Sequence, residues 1–158
     1  MDTSSTPSSP SPSSPPFYAG EFRHAIDEKN RITIPARWRR DRAEEFIILP
    51  EASHQFLMVM SPEEFSRMTA AAEANTQVSA RDRRVFFRQL HARAEHGVSD
   101  RQGRLVLPED LCKKLSLKGE VALVGNRGRF EIWNLARWKQ ANTDETSTYQ
   151  HVANVLGL

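Results

Sequence analysis

The stretch Asp27-Glu28-Lys29-Asn30-Arg31-Ile32-Thr33-Ile34-Pro35 decides the fold of this chain, because a stretch of the same design returns 73 residues later. The second copy reads Asp100-Arg101-Gln102-Gly103-Arg104-Leu105-Val106-Leu107-Pro108. Both copies have Asp first, Arg fifth and Pro last, with apolar residues at the sixth and eighth positions. The chain is therefore predicted to contain a duplicated unit.

Each copy is predicted to form a turn that leads into a short strand. Asp27 and Asp100 can open the turn by accepting hydrogen bonds from the backbone amides that follow them. Asn30 and Gly103 stand where the backbone needs a positive φ, which asparagine and glycine tolerate better than other residues. The apolar residues of each strand alternate and so share one face. The proline then favours the first turn of a helix.

Length and composition limit the class of protein. The 158 residues are enough for one compact domain or for two small halves that share a core. Lys and Arg exceed Asp and Glu by only 22 to 20, so the net charge of +2 does not by itself indicate a nucleic-acid partner. No apolar run approaches the roughly 20 residues of a membrane helix, so a soluble protein without a membrane partner is expected.

The residue types that carry catalysis or bind metals form no recognisable pattern. The five histidines and the single cysteine, Cys112, never fall at zinc-ligand spacing, and no nucleophile has a recognisable base partner. We therefore expect neither enzyme activity nor a metal, a cofactor or a small-molecule substrate. A single cysteine also excludes an intrachain disulfide and fits a reducing cytoplasm.

The strand patterns predict two hairpins in the first half. Residues 1–16 hold seven Ser and five Pro and no aromatic residue, which predicts a disordered arm. Residues 17–26 are predicted to be the first strand of a hairpin that returns over residues 31–34. The apolar runs 46–49 and 56–60 flank a polar turn and predict a second hairpin.

The helix patterns begin at clear N-caps. Ser61 is followed by Pro62 and Glu64, which together predict a helix start. A second helix is predicted from Ser79 to Gly97, with its apolar side on the core and its arginines in water, although these arginines could instead lie on DNA. The second half repeats the first, with a hairpin over 98–108, a short helix over 109–115, strands over 121–124 and 129–133, and a helix capped by Asn134.

The arginine of each copy is the main candidate for a functional role. Arg31 and Arg104 would point away from the core, on the strand face opposite the apolar residues. A two-stranded ribbon that carries arginine fits the DNA major groove, where a guanidinium can bind guanine O6 and N7 together. Lys29 and Arg101 would then contact phosphates.

The alternative is that each arginine only pairs with the aspartate four residues before it and braces the turn. Its appearance at the same place in both halves favours a shared task, and that task could still be folding. Two classes therefore remain, which are a DNA-binding regulator and an oligomeric protein-interaction module without a specific DNA target.

The two motifs, together with Val121–Gly125 and Phe130–Trp133, resemble the MraZ family of bacterial transcriptional regulators, which have tandem SpoVT-AbrB domains. The resemblance covers about residues 17–140. It implies an α+β, mainly β fold, namely a duplicated AbrB-like swapped-hairpin β-barrel with pseudo-two-fold symmetry and flanking helices. The expected organisation is a first SpoVT-AbrB domain at 17–72, a linking helix region at 73–97, a second SpoVT-AbrB domain at 98–141 and a loosely ordered tail at 142–158.

The resemblance also implies partners and a place of action. It implies double-stranded DNA with direct repeats, bound by a homo-oligomeric ring of about eight or more subunits. The expected site is the promoter of the division and cell-wall gene cluster, on the nucleoid in the cytoplasm, with repression as the expected effect. By resemblance, the DNA-contacting residues are Arg31 and Arg104, with Lys29 beside the first.

The chain departs from the family pattern inside both motifs. Asn30 replaces the usual first glycine and should still turn at modest cost. Gln102 replaces a residue that is often basic, so a phosphate contact is expected to be lost there. Because Lys29 and Arg31 carry two positive charges, the first copy is expected to be the stronger DNA contact.

Overall fold

The computed structural model describes residues 16–158, so almost all of the arm predicted over residues 1–16 lies outside the described residues. The described chain is a mixture of helices and antiparallel strands. The strands are β1 (Glu21–Ala25), β2 (Arg31–Thr33), β3 (Glu45–Pro50), β4 (Phe56–Met60), β5 (Glu95–Val98), β6 (Arg104–Val106), β7 (Glu120–Asn126) and β8 (Arg129–Asn134). The helices are α1 (Pro62–Glu73), α2 (Ala80–Arg93), α3 (Glu109–Lys114) and α4 (Leu135–Leu156), with a 3₁₀ helix at Ala36–Trp38.

The strand order is symmetric about the middle of the chain's larger sheet. That six-stranded sheet has the order β1-β7-β8-β4-β3-β5, and β2 and β6 form a separate two-stranded ribbon. The counterparts in the two halves are β1 and β5, β2 and β6, β3 and β7, and β4 and β8. Exchanging each strand for its counterpart leaves the neighbours of every strand in both sheets unchanged. The pairs Met58↔Glu131 and Ile32↔Leu105 each join residues 73 apart, so equivalent residues meet on one pseudo-two-fold axis.

The hairpin predicted across the first turn does not form. β1 pairs with β7, for example at Phe22↔Leu123, and β2 pairs with β6. The chain does turn between them, since Asp27 N donates to Arg31 O at 3.0 Å. The physical reason is burial: a three-residue strand has too small an apolar face to be stable alone, whereas Ile32 and Leu105 are only 1% and 0% exposed when paired.

Other local predictions are confirmed by the strand register and the helix caps. β3 and β4 form the second hairpin, with Ile48 opposite Val59. At the start of α1, Ser61 Oγ accepts a hydrogen bond from Glu64 N at 3.1 Å. At the start of α2, the Ser79 side chain caps the helix in the same manner.

The end predicted for α2 is wrong, because Gly97 lies in a strand. α2 stops at Arg93, and Gly97 stands opposite Phe46 in the β3–β5 pair. A Cβ at Gly97 would lie 3.1 Å from Cδ1 of both Ile48 and Leu105. The glycine therefore permits close packing against the core, a requirement that local sequence does not distinguish from a helix stop.

The C-terminal segment is helical, in contrast to the loosely ordered tail expected over residues 142–158. α4 begins after Asn134, whose Oδ1 accepts from Arg137 N at 3.0 Å, and it continues to Leu156. It ends at Gly157, which has φ 75°. No proline or glycine interrupts the segment before that residue, so the helix continues although most of its side chains face solvent.

The core between the sheet and the ribbon fixes the position of the β2–β6 pair. Trp38 packs edge-on against Tyr18, with ring centroids 5.5 Å apart, and its Nε1 donates to Ala19 O at 2.9 Å. The core's other large, fully buried side chains surround these rings and the inward face of the ribbon; they include Phe46, Phe130, Ile32, Ile34, Ile48, Leu57, Leu105, Leu107, Leu115, Leu123 and Ile132. The outward face of the ribbon remains exposed.

Candidate nucleic-acid interface

The first turn is organised by one carboxylate. Asp27 Oδ1 accepts from the backbone N–H of Lys29 at 2.9 Å and of Arg31 at 2.8 Å. Asn30 has φ 59°, in the left-handed region. These two hydrogen bonds close the turn and direct the chain into β2.

The second turn has the same geometry with different residues. Asp100 Oδ1 accepts from the backbone N–H of Gln102 and of Arg104, both at 2.9 Å. Gly103 has φ 78°. The agreement indicates that the aspartate and the left-handed residue set the turn, whereas the residues between them are free to vary.

Each turn is also anchored by the opposite half of the chain. Ile34 N donates to Gly103 O at 2.8 Å, and Leu107 N donates to Asn30 O at 2.8 Å. These bonds extend the β2–β6 ladder at both of its ends. The two turns therefore form one composite surface and are held at a fixed separation.

Arg31 and Arg104 lie on the same exposed face of the ribbon. Arg31 stands opposite Val106, and Thr33 stands opposite Arg104. Since opposite residues of an antiparallel pair share a face, these four side chains form one outward patch. The two arginines stand diagonally across the ribbon, and the Cα atoms of such diagonal neighbours are roughly 7–8 Å apart. Val106 in this patch is 57% exposed.

Each arginine is held by the aspartate of its own turn. Arg31 Nε donates to Asp27 Oδ2 at 2.7 Å, and Arg104 Nε donates to Asp100 Oδ2 at 2.6 Å. The backbone amide of Arg31, and then its guanidinium, hold the pKa of Asp27 below its usual range, and Arg104 acts in the same way on the pKa of Asp100. The ion pairs that would allow each arginine to brace its turn, Arg31–Asp27 and Arg104–Asp100, are therefore present.

The braces leave most of each guanidinium available. Within residues 16–158 the Nη groups of Arg31 and Arg104 have no hydrogen-bond partner, and their side chains are 33% and 46% exposed. Two adjacent Nη groups can donate to paired acceptors on a base edge or a phosphate. Bracing and ligand binding are compatible, since they use different nitrogen atoms.

The other predicted phosphate contacts lie on the same turns. Lys29 and Arg101 are exposed, and neither side chain has an ion pair or hydrogen bond within the described residues. The structure thus brings Lys29 together with Arg31, and Arg101 together with Arg104.

One residue beside the second turn was not found from the sequence. Arg39 follows the 3₁₀ helix of the first half, and its Nη1 donates to the carbonyl oxygen of Gln102. A Cβ at Gly103 would overlap Cδ of Arg39. In the sequence, the apolar Trp38 within a run of arginines indicates that this segment packs on the core, but no local pattern indicates which turn Arg39 reaches.

The single cysteine and the residue types that bind metals are the sequence's other candidates for chemistry. Cys112 is buried, and burial raises the pKa of its thiol to about 11. No group of three or more His, Cys, Asp or Glu side chains in this range is arranged to hold a metal ion. No helix in the described range is long and apolar enough to span a membrane.

Comparison with known proteins places both halves of the chain in one family. The model of the MraZ protein family matches residues 17–87 and 92–157. Relatives named "Transcriptional regulator MraZ" include that of Alkaliphilus oremlandii, 31% identical over 89% of this chain and 96% of the relative. That of Acetivibrio thermocellus is 30% identical over 90% and 97%, and that of Heliobacterium modesticaldum is 33% identical over 89% and 96%. With two arginine turns of equal geometry and this similarity over both halves, the chain belongs to the MraZ family.

Proposed function

We propose that the protein is a transcriptional regulator that binds double-stranded DNA in a sequence-specific manner. The observation that carries this proposal is the pair of arginines on one exposed face of the β2–β6 ribbon, with their Nη groups unpaired. The relatives named as transcriptional regulators support regulation as the biological role.

In this mechanism the ribbon enters the major groove, which is about 12 Å wide. Arg31 and Arg104 donate to base edges, with guanine as the preferred acceptor, and Lys29 and Arg101 contact the phosphates on either side. The Nε brace on each arginine orients its guanidinium before binding. A preoriented side chain loses less conformational entropy in the complex, so the aspartates contribute to affinity without touching DNA.

The exchange of strands between the halves supports a swapped-hairpin β-barrel of two SpoVT-AbrB domains, related by the pseudo-two-fold axis. We further propose a homo-oligomeric ring of about eight or more subunits that binds direct repeats, since repeated weak contacts gain from effective concentration. Exposed apolar side chains on two helices support association: Phe86 of α2 is 49% exposed, and Tyr149 and Val155 of α4 are 73% and 72% exposed. The proposed effect is repression of the division and cell-wall gene cluster, on the nucleoid in the cytoplasm.

The test is a gel-shift series with DNA from immediately upstream of the protein's own gene. The wild type should retain this DNA at low salt, and log affinity should fall with log salt by about 0.9 for each phosphate contacted. Arg31→Ala and Arg104→Ala should each reduce affinity for the specific DNA about tenfold or more. Arg88→Ala on the exposed side of α2 removes the same charge away from the ribbon and should leave the affinity unchanged. An equal loss of affinity in this variant would show instead that the α2 arginines lie on DNA.

Two results would reject this function. Absence of retention at low salt would exclude DNA binding and favour the protein-interaction module. If instead Arg31→Ala dissociates the oligomer or unfolds many degrees below the wild type, the arginine acts mainly as a turn brace. Light scattering and thermal unfolding of the same variants distinguish these outcomes.

A further inference from the structure

The second turn is more basic than the first, although Lys29 and Gln102 taken alone predict the opposite. Residues 27–31 include Glu28 as well as Lys29 and have no net charge, whereas residues 100–104 have Arg101 at the position of Glu28 and a net charge of +1. Counted over the whole turn, the second copy is the more basic one.

The tertiary structure adds a third cation to the second turn. The Arg39 side chain lies over this turn, where its Nη1 donates to Gln102 O. The space it occupies exists because position 103 has no side chain: a Cβ there would overlap Arg39 Cδ and lie 3.0 Å from Nε and Nη1. A carbonyl oxygen does not neutralise a guanidinium, and within residues 16–158 Arg39 has no acidic partner.

The backbone of Arg39 is fixed by the core. Trp38, the preceding residue, is 7% exposed and is hydrogen-bonded to Ala19 O. Arg39 N donates to Ala36 O at 3.2 Å, which closes the 3₁₀ helix. A short, anchored segment therefore delivers the side chain to the second turn at little further cost in conformational entropy.

Within residues 16–158, no arginine takes the equivalent place beside the first turn. The position 73 residues after Arg39 is Cys112, which is buried in α3. The pseudo-two-fold symmetry of the ribbon is thus broken by one guanidinium, on the side where Gln102 stands at the position of Lys29.

We propose that Arg39 is a phosphate-binding residue that acts across the halves, supplies the cation that Gln102 lacks and makes the second turn the stronger electrostatic contact with DNA. This inference rests on the proposed DNA binding. It assigns the residue a double role: Nη1 holds the second turn through Gln102 O, while the remaining guanidinium N–H groups face an anionic backbone.

The test measures the salt dependence of DNA affinity by fluorescence anisotropy for the full chain. Arg39→Gln should reduce the slope of log affinity against log salt by about 0.9, as expected for the loss of one phosphate contact. Arg39→Lys should restore the slope, because lysine keeps the charge. The control is Arg42→Gln in the same loop, since Arg42 is exposed and its side chain has no hydrogen bond or ion pair within the described residues.

A second comparison ranks the turns. Arg101→Gln combined with Arg39→Gln should weaken binding more, and lower the slope more, than Lys29→Gln. Circular dichroism and light scattering should show that these exposed or half-buried substitutions leave the fold and assembly unchanged.

The outcomes separate the two proposals. A wild type that binds no DNA at low salt overturns both of them. Wild-type binding with an Arg39→Gln slope equal to that of Arg42→Gln overturns only the role of Arg39. A loss of affinity that is equal at all salt concentrations, and that Arg39→Lys does not restore, would show that the residue only positions the turn.

Discussion

The packing of Gly97 against Leu105 predicts a pair of substitutions whose effects are strongly coupled. Leu105 is 0% exposed and lies at the centre of the β2–β6 ribbon. A methyl group at Gly97 would lie 3.1 Å from Leu105 Cδ1 and from Ile48 Cδ1, closer than the usual carbon contact of about 3.5–4.0 Å. A methyl group at position 97 and the native Leu105 side chain would therefore compete for the same volume, which Leu105→Ala would vacate.

The expected magnitudes follow from this geometry. Leu105→Ala should cost about 2–5 kcal/mol, because a fully buried side chain is lost and a cavity remains. Gly97→Ala in the wild type should cost about 1–3 kcal/mol from overpacking, offset by about 0.5–1 kcal/mol because alanine is less flexible than glycine when unfolded. In the Leu105→Ala background one of the two close contacts disappears, and the new methyl fills part of the cavity. Gly97→Ala should then be neutral or stabilising, which amounts to a coupling of about 1–3 kcal/mol.

The assay is urea unfolding of the wild type, both single variants and the double variant, followed by tryptophan fluorescence at one protein concentration. If Gly97→Ala costs less free energy of unfolding in the Leu105→Ala background than in the wild type, the packing of β5 against the ribbon is supported. Additive effects would refute it. They would mean that Gly97 is needed for its own backbone conformation, as at the end of a helix, since such a cost would not depend on Leu105.

Two further predictions concern the turns. Gly103→Ala should lower the midpoint of thermal unfolding, because φ 78° strains alanine and its Cβ would displace Arg39. Asn30→Gly should leave the midpoint close to that of the wild type, because glycine adopts φ 59° readily. Equal effects of the two substitutions would contradict the need for a residue without a side chain at position 103. Asp27→Asn and Asp100→Asn should destabilise the protein at neutral pH, because both carboxyls have a lowered pKa in the folded state. Stabilisation by such a group is present above its unfolded pKa and is lost as pH falls through its folded pKa. The difference in unfolding temperature between the wild type and each variant should therefore begin to close at about pH 4 and vanish at lower pH. A difference that stays constant from neutral to acidic pH would contradict the role of the carboxylates.

Local sequence determined the elements whose stabilising contacts lie within a few residues. The caps at Ser61, Ser79 and Asn134 depend on a side chain and a backbone amide three residues later, and all three form where the sequence places them. The hairpin of β3 and β4 was equally local. The duplication itself was readable because the two motifs repeat at one offset, and the same motifs carried the resemblance to the MraZ family.

The sequence determined the residues of the candidate interface but not their surroundings. The turn motifs identified Arg31 and Arg104, because the pattern of aspartate, left-handed residue and arginine is contained in five consecutive positions. What only the tertiary structure decided was long-range: β1 pairs with β7 across the halves, Gly97 serves a strand, and Arg39 reaches the second turn. Each of these depends on which distant surface buries more apolar area or leaves room for a side chain, and neither spacing nor propensity along the chain encodes that choice.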